Sequence, residues 1–193
     1  IYTVLLLFTI SVSSQKSINE DPEILQNRIN HRITQSQTAL ENYNYFEAEN
    51  NIDKALELAE KLKNKKSEGI IYTLKGRLKL LTEEEDNAIK SLSKAIEIQR
   101  IIKDDANLAN SYKTLGEVYA RKKDYSQAAD YFKSAKNLFQ EEGLNLGLTE
   151  TLLAEGKTYI QFKNYRKARA IIEQCLAEAK KIGSLKIQSD VLI

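Results

Sequence analysis

The sequence predicts an all-α protein, a solenoid built from antiparallel helical hairpins. Three observations support this prediction: a composition typical of long helices, a set of small residues that recurs every forty positions, and glycines that recur in register with that set. Among 193 residues there are only seven glycines and one proline, whereas Ala, Leu, Ile, Glu and Lys are abundant. We expect four repeats and the start of a fifth.

The chain opens on an uncharged apolar run, Val4 to Val12, and small residues separate this run from Gln15. The pattern is typical of a signal peptide, so we expect residues 1–14 to be removed and the protein to be exported. The exported chain is expected to be a periplasmic protein or the periplasmic part of a membrane-anchored protein. A buried strand or an uncleaved anchor is the alternative, although the run is short for a membrane span of about 20 residues. Residues 15–193 are expected to form the repeat array.

The second helix of each predicted hairpin carries a small residue, a large apolar residue four positions later and another small residue three further on. Residues at these spacings share one face of a helix, so each set is expected to face the core. The sets are Ala48, Ile52 and Ala55; Ala88, Leu92 and Ala95; Ala128, Phe132 and Ala135; and Ala168, Ile172 and Cys175.

The first helix of three hairpins carries a glycine at the same interval before these sets: Gly76, Gly116 and Gly156. Glycine inside a helix costs about 1 kcal/mol relative to alanine. We interpret the three glycines as sites where the two helices of a hairpin cross so closely that a Cβ would clash. The expected partners across each crossing are the first alanines of the sets.

Polar residues predict where the helices begin. Asn44, Asp124 and Asn164 precede second helices and are expected to cap them, while Thr82 and Glu85 have the spacing of a capping box. The segment 67–69 is interpreted as the boundary between the first two units. The units are then 22–63, 67–103, 105–142 and 145–182, with a partial unit at 184–193.

The third unit resembles the tetratricopeptide repeat (TPR) family, through Tyr112, Leu115, Gly116, Tyr119, Ala128, Phe132 and Ala135. The fourth unit keeps Gly156, Tyr159 and Ala168, and the second keeps Gly76, Ala88 and Leu92. The period of forty is longer than is usual in the family and resembles the arrays in sensory portions of bacterial regulators. The resemblance implies a right-handed solenoid whose first helices line a concave wall that binds a protein or peptide.

The candidate binding residues lie on the side of each first helix that faces away from its Leu-Gly-Tyr positions. They are Ile70, Thr73, Arg77, Leu80 and Leu81 in the second unit; Asn110, Lys113, Glu117, Ala120 and Arg121 in the third; Glu150, Leu153, Lys157, Ile160 and Gln161 in the fourth; and Asn30, Ile33, Gln37, Leu40 and Glu41 in the first. This mixture of polar and apolar side chains suits an amphipathic or extended peptide. Alternatively, the apolar members pack between adjacent first helices and the charges are merely solvated. The lysine and asparagine pair with which some family members clamp a chaperone tail is absent, because Lys113 is followed one turn later by Glu117.

Composition argues against other functions. The 29 basic and 27 acidic residues are interleaved and leave a net charge of +2, so no basic field indicates nucleic acid. A single cysteine, Cys175, and a single histidine, His31, provide no disulfide and no set of soft metal ligands. No nucleotide-binding or catalytic motif occurs, so we expect no cofactor and no enzymatic activity. Tyr45, Tyr125 and Tyr165 are expected to pack in the core rather than to stack on bases.

These observations predict an interaction module, specifically the exported sensor portion of a longer bacterial signalling regulator. A free-standing periplasmic scaffold is one alternative, and a docking arm for a catalytic domain beyond residue 193 is another. A membrane would be reached only through a segment beyond residue 193. Pairing of the exposed last unit with a copy of itself, which would form a homo-oligomer, is a further alternative.

Overall fold

The computed structural model describes residues 21–191, and every regular element within this range is an α-helix. The predicted signal peptide lies outside the described residues. The helices are α1 (Pro22–Glu41), α2 (Tyr45–Leu62), α3 (Lys65–Leu81), α4 (Glu85–Ile102), α5 (Asp105–Arg121), α6 (Tyr125–Glu141), α7 (Asn145–Gln161), α8 (Tyr165–Lys181) and α9 (Leu185–Val191). None of the helices in the described part of the chain is long and apolar enough to cross a membrane.

All eight turns between these helices have the same form, and each leaves only two or three residues between one helix and the next. In the turn after α2, Lys63 adopts a left-handed conformation (φ 54°). The backbone N–H of Asn64 then donates to the carbonyl of Ala59 at 2.9 Å, which closes the end of the helix. Equivalent left-handed residues and hydrogen bonds recur every twenty residues as far as Ser184. Such short connections make consecutive helices antiparallel neighbours.

In most turns, the residue whose backbone N–H closes one helix also caps the next helix with its side chain. The sequence predicts such caps for three second helices. The side chains of Asn44, Asp124 and Asn164 each accept a hydrogen bond from the backbone N–H three residues later, at 3.1–3.3 Å. These carbonyl and carboxylate oxygens satisfy N–H groups that have no partner within the helix. The three predicted caps are therefore confirmed.

The capping box predicted from Thr82 and Glu85 is wrong. The left-handed residue of this turn is Glu83 (φ 64°), so Thr82 still belongs to the end of α3 and Glu84 takes the cap position. The Glu84 side chain makes no hydrogen bond to the backbone of α4. Instead its carboxylate accepts from Lys79 and from the Thr82 hydroxyl, each at 3.0 Å.

The boundary predicted at residues 67–69 is also wrong, because these residues lie within α3. Asn64 caps this helix by accepting from the backbone N–H of Ser67 at 3.0 Å. The helix can start this early because Lys63, although it is not a glycine, adopts the left-handed conformation of the preceding turn.

The close helix crossings predicted from the glycines are confirmed. A Cβ added to Gly76 would lie 2.5 Å from Leu92 Cγ, and one added to Gly156 would lie 2.7 Å from an Ile172 side-chain carbon. At Gly116 the nearest atom is a ring carbon of Phe132, at 2.6 Å. The expectation that alanines lie opposite the glycines is wrong, because the nearest atoms belong to the large apolar residue four positions later. Each glycine therefore makes room for a large side chain from the second helix of its own hairpin.

The apolar core consists of buried clusters, several of which share residues at their edges. Ile96 and Tyr131 pack against two neighbouring buried clusters, and Leu56 joins two others. Successive first helices (α1, α3, α5, α7 and α9) approach one another, whereas no two second helices do so within residues 21–191. The first helices therefore form the inner side of the curve and the second helices the outer side.

Candidate binding groove

The inner surface contains two adjoining cavities that meet at Glu117 on α5. One has a volume of about 390 Å³ and extends from Gln37 and Glu41 at the end of α1, across α3 and α5, to Glu150 of α7. The other has a volume of about 590 Å³ and extends toward the C-terminal ends of α3, α5 and α7, as far as Gln161. Their volumes fall within the range of about 300–1,000 Å³ that is typical of ligand sites.

Most of the predicted binding residues line one of these cavities. The first cavity is lined by Gln37, Glu41, Ile70, Thr73, Arg77, Asn110, Lys113, Glu117 and Glu150 from the predicted set, and the second by Leu80, Leu81, Glu117, Ala120, Arg121, Lys157 and Gln161. These residues, which were predicted from their spacing along the first helices, therefore lie on one surface. Whether that surface binds a partner stays a prediction.

Some predicted residues lie elsewhere. Leu153 packs partly buried against the core, Leu40 is almost fully buried, and Ile160 is exposed outside both cavities. Leu153 and Leu40 therefore contribute to the apolar core rather than to the lining of the groove.

Sequence reasoning missed several lining residues. Thr114, Ala154 and Thr158 lie three or four positions from predicted members, so a wider helical stripe would have included them. Lys123 and Tyr125 come from the turn and from the start of α6, where a count along the first helices does not reach. Lys186 lines the first cavity from α9.

Three polar members of the groove are already engaged by neighbouring helices. Lys113 forms a salt bridge with Glu150 at 2.6 Å, and the Arg121 guanidinium donates to the carbonyl of Leu80 at 2.7 Å. The Thr73 hydroxyl lies 2.7 Å from that of Ser111. These contacts fix adjacent first helices against one another, and they leave the three side chains less available to a ligand.

The Thr73 contact belongs to a buried polar network in the second unit. Gln99 is fully buried; its amide donates to Thr73 at 3.1 Å and to the Gly69 carbonyl, and it accepts from Ser111 at 2.7 Å. Every polar group of Gln99 thus has a partner, as a buried amide requires. The network joins the groove wall to the second helix α4.

Four cations that line the groove, Arg77, Lys123, Lys157 and Lys186, make no side-chain hydrogen bond or salt bridge with the described residues. Arg77 on α3 and Lys157 on α7 are two of these, and both are exposed. They occupy the same position of the repeat, and Glu117 occupies that position on the helix between them. The row therefore reads cation, carboxylate, cation across three first helices.

The carboxyl group of Glu117 is in an unusual environment. Desolvation at the junction of the cavities raises its pKa above the ordinary value, and the negative charge of Glu150 adds to this effect. The positive charges of Lys113 and Arg77 oppose the shift. Glu117 accepts no hydrogen bond from the described residues, so its oxygens are available to a bound ligand.

Other candidate reactive residues lie away from the groove or are enclosed. His31 is exposed on α1, whereas Cys175 is fully buried and its thiol donates to the Thr149 carbonyl at 3.4 Å. Burial raises the pKa of the Cys175 thiol, which disfavours the reactive thiolate. Within residues 21–191, no cluster of three His, Cys, Asp or Glu side chains could hold a metal ion.

The tyrosines that begin the second helices do not behave alike. Tyr45 packs partly buried against the first core cluster, and Tyr125 lies 4.5 Å from the ring of Phe162 at the edge of the groove. Tyr165 is 64% exposed, so its predicted place in the core is wrong.

The hairpin architecture, with a grooved inner surface, defines this chain as an α-solenoid of the protein-interaction class. The tetratricopeptide repeat profile matches residues 69–141 and 107–181, and the chain belongs to the tetratricopeptide repeat family.

Among curated proteins, tetratricopeptide repeat protein 29 of Homo sapiens is 26% identical over 162 residues, which cover 82% of this chain and 33% of that protein. This chain therefore spans about a third of the curated relatives that it matches.

Two solved structures show the same fold at low sequence identity. A Rap protein complexed with competence and sporulation factor has a TM-score of 0.81 at 16% identity, over 89% of this chain and 47% of that one. A STAND signal-transduction ATPase with a tetratricopeptide repeat sensor, from Pyrococcus horikoshii, has a TM-score of 0.69 at 21% identity, over 94% of this chain and 28% of that one.

Proposed function

We propose that the groove formed by α1, α3, α5 and α7 binds a peptide or a segment of another protein. The observation that carries this proposal is the pair of adjoining cavities, in which apolar walls lie beside free cations. A peptide that alternates apolar and charged side chains needs this combination of surfaces. Membership of the family supports the same function, and the Rap protein of similar fold is itself complexed with a factor.

Site-specific photocrosslinking tests the proposal in extract from the cells that make the protein. A photoreactive side chain at Gln161 lines the larger cavity, whereas one at Ser134 lies on α6, on the outer side of the curve. We expect a discrete crosslinked partner from position 161 only, with its yield reduced when Arg77 and Lys157 are both changed to alanine. Lys90 and Lys133, which are exposed on second helices, provide a matched double alanine control.

The pair Arg77 and Lys157 is a better choice than Lys113 and Arg121, because the latter two hold neighbouring helices together. Crosslinking of equal yield from positions 161 and 134, or none from position 161, would overturn the proposal.

We further propose that the chain is the exported sensory portion of a longer bacterial signalling regulator. The apolar run Val4 to Val12 supports export, and the small share of the relatives that the chain spans supports a longer whole. In the STAND signal-transduction ATPase of similar fold, tetratricopeptide repeats form the sensor, which is a precedent for a sensory role of such repeats.

Cell fractionation and N-terminal sequencing test export, with a periplasmic form that begins at Gln15 as the expected result. A cytoplasmic form that retains the run would refute it. The gene beyond Ile193 is expected to encode further repeats or a membrane span followed by an output domain. A stop directly after Ile193 would instead favour a free-standing scaffold, and a catalytic domain would favour a docking arm.

A further inference from the structure

The charge of the groove differs from that of the whole chain. The two cavities are lined by three carboxylates, Glu41, Glu117 and Glu150, and by six cations, Arg77, Lys113, Arg121, Lys123, Lys157 and Lys186. The whole chain, by contrast, is almost balanced, with a net charge of +2. The groove therefore concentrates positive charge, which favours an anionic ligand.

The charges that remain unpaired sharpen this preference. Glu150 forms a salt bridge with Lys113 at 2.6 Å, which neutralises its charge. The raised pKa of Glu117 favours the neutral, protonated form of its carboxyl group. Four lining cations, Arg77, Lys123, Lys157 and Lys186, form no salt bridge with a described residue, and they outnumber the two lining carboxylates in the same condition, Glu41 and Glu117. Of the four, Arg77 and Lys157 flank Glu117 at one position of the repeat. Their guanidinium and ammonium groups can pair with ligand carboxylates.

Apolar surface lies beside the row formed by Arg77, Glu117 and Lys157. Leu80, Leu81, Ala120 and Ala154 line the larger cavity, on the stretch of the groove that leads from α3 to α7. A ligand that reached both cations would lay its central part against this surface. An aliphatic or aromatic side chain there would bury apolar area, whereas a nucleic acid backbone, with a phosphate at every step, would not.

The helix positions set the spacing of the ligand charges. Packed helices lie about 8–10 Å apart, so we expect the axes of α3 and α7, two first helices apart, to be about 16–20 Å apart. An extended peptide advances about 3.3 Å per residue and covers this distance in about five or six residues.

We propose that the groove recognises an extended acidic peptide in which two carboxylates, about five or six residues apart, flank a large apolar side chain. This inference rests on the proposed function and specifies its ligand. One carboxylate pairs with Arg77 and the other with Lys157. Glu117, midway between them, faces the peptide backbone and accepts or donates a hydrogen bond according to its protonation.

Selection from a displayed library of random peptides, about twelve residues long, tests the inference on the full chain. The expected winners carry Asp or Glu at both ends of a span of about five or six residues, with Leu, Ile, Val or an aromatic residue between. Their affinity is expected to fall about threefold to tenfold in Arg77→Ala and in Lys157→Ala, and to be unchanged in Lys133→Ala.

Charge reversal provides a check that folding defects cannot imitate. Selection on Arg77→Glu is expected to replace the acid at one end of the peptide by Lys or Arg, and selection on Lys157→Glu to replace the acid at the other end. Winners that lack acidic pairs, yet lose binding in the groove variants, would overturn this inference and leave the proposed function standing. Winners that bind all groove variants equally, or no winners at all, would overturn both.

Discussion

The closest helix contact of the third unit gives a quantitative test of the repeat geometry. In Gly116→Ala the new methyl group would lie 2.6 and 2.7 Å from two ring carbons of Phe132 and 3.0 Å from a third. The Phe132 ring is fully buried, so it cannot move aside into solvent. Overpacking of this kind costs about 1–3 kcal/mol, and the better helix propensity of alanine offsets about 1 kcal/mol. We therefore expect a net loss of up to about 2 kcal/mol.

Urea unfolding followed by far-UV circular dichroism measures this loss, with the midpoint and the slope compared between variants. Gly69→Ala is the milder comparison, because its methyl group would lie 3.1 Å from Gln99 Cγ and 3.5 Å from an Ile98 methyl carbon, with no contact below 3.0 Å. It is expected to lose less stability than Gly116→Ala.

A second background isolates the clash itself. In Phe132→Ala the ring is gone, so adding Gly116→Ala should raise the free energy of unfolding instead of lowering it. Equal stability of Gly116→Ala and Gly69→Ala, or the same sign in both backgrounds, would refute the reasoning that close crossing selects the glycines.

Three further predictions concern the turns and caps. Leu144→Asn supplies the side-chain cap that α7 lacks and should raise the free energy of unfolding by about 1 kcal/mol, measured by urea denaturation. Lys103→Gly relieves a left-handed residue (φ 56°) and should raise stability by up to about 1 kcal/mol, whereas Gly143→Ala (φ 67°) should lower it by a similar amount in the same assay. Hydrogen bonds from Lys79, Asn87 and Thr82 lower the pKa of Glu84 to about 2. The contribution of the ionised Glu84 to stability is therefore complete at a pH above its ordinary pKa of 4.5 and is lost as the pH falls toward 2. In an NMR titration, Lys79→Gln should move the Glu84 midpoint up toward 4.5.

Each of these outcomes has a clear opposite. A destabilised Leu144→Asn would mean that the leucine, 39% exposed, contributes more by packing than a cap would. Parallel changes in Lys103→Gly and Gly143→Ala would show that left-handed strain does not govern these turns. An unchanged Glu84 midpoint in Lys79→Gln would assign the low pKa to Thr82 and Asn87.

The sequence was sufficient for the features that depend on residue type at fixed spacing. Gly76, Gly116 and Gly156 are conspicuous because glycine is costly inside a helix, and Asn44 or Asp124 because short polar side chains favour caps. These signals predict the hairpins, their order and most of the inner surface.

Features that depend on side-chain direction could not be read in the same way. Leu92 and Phe132 fill the space at the glycines because their side chains project across the crossing, whereas the alanines four residues earlier are too short to do so. Likewise, nothing in the spacing of Lys113 and Glu150 or of Arg121 and Leu80 shows that they pair across neighbouring helices. Those pairings separate engaged cations from free ones, and this distinction changes which residues are worth mutating.

The uniform turns carry a consequence for how this array can change length. Because the left-handed residue and its closing backbone hydrogen bond recur every twenty positions, excision of forty residues between two equivalent turns restores the same backbone turn. Removal of residues 64–103 would join Lys63 to Asp104, which recreates the same motif between α2 and α5. Whole hairpins can thus be inserted or excised, and each such event lengthens or shortens the inner surface by the width of one helix.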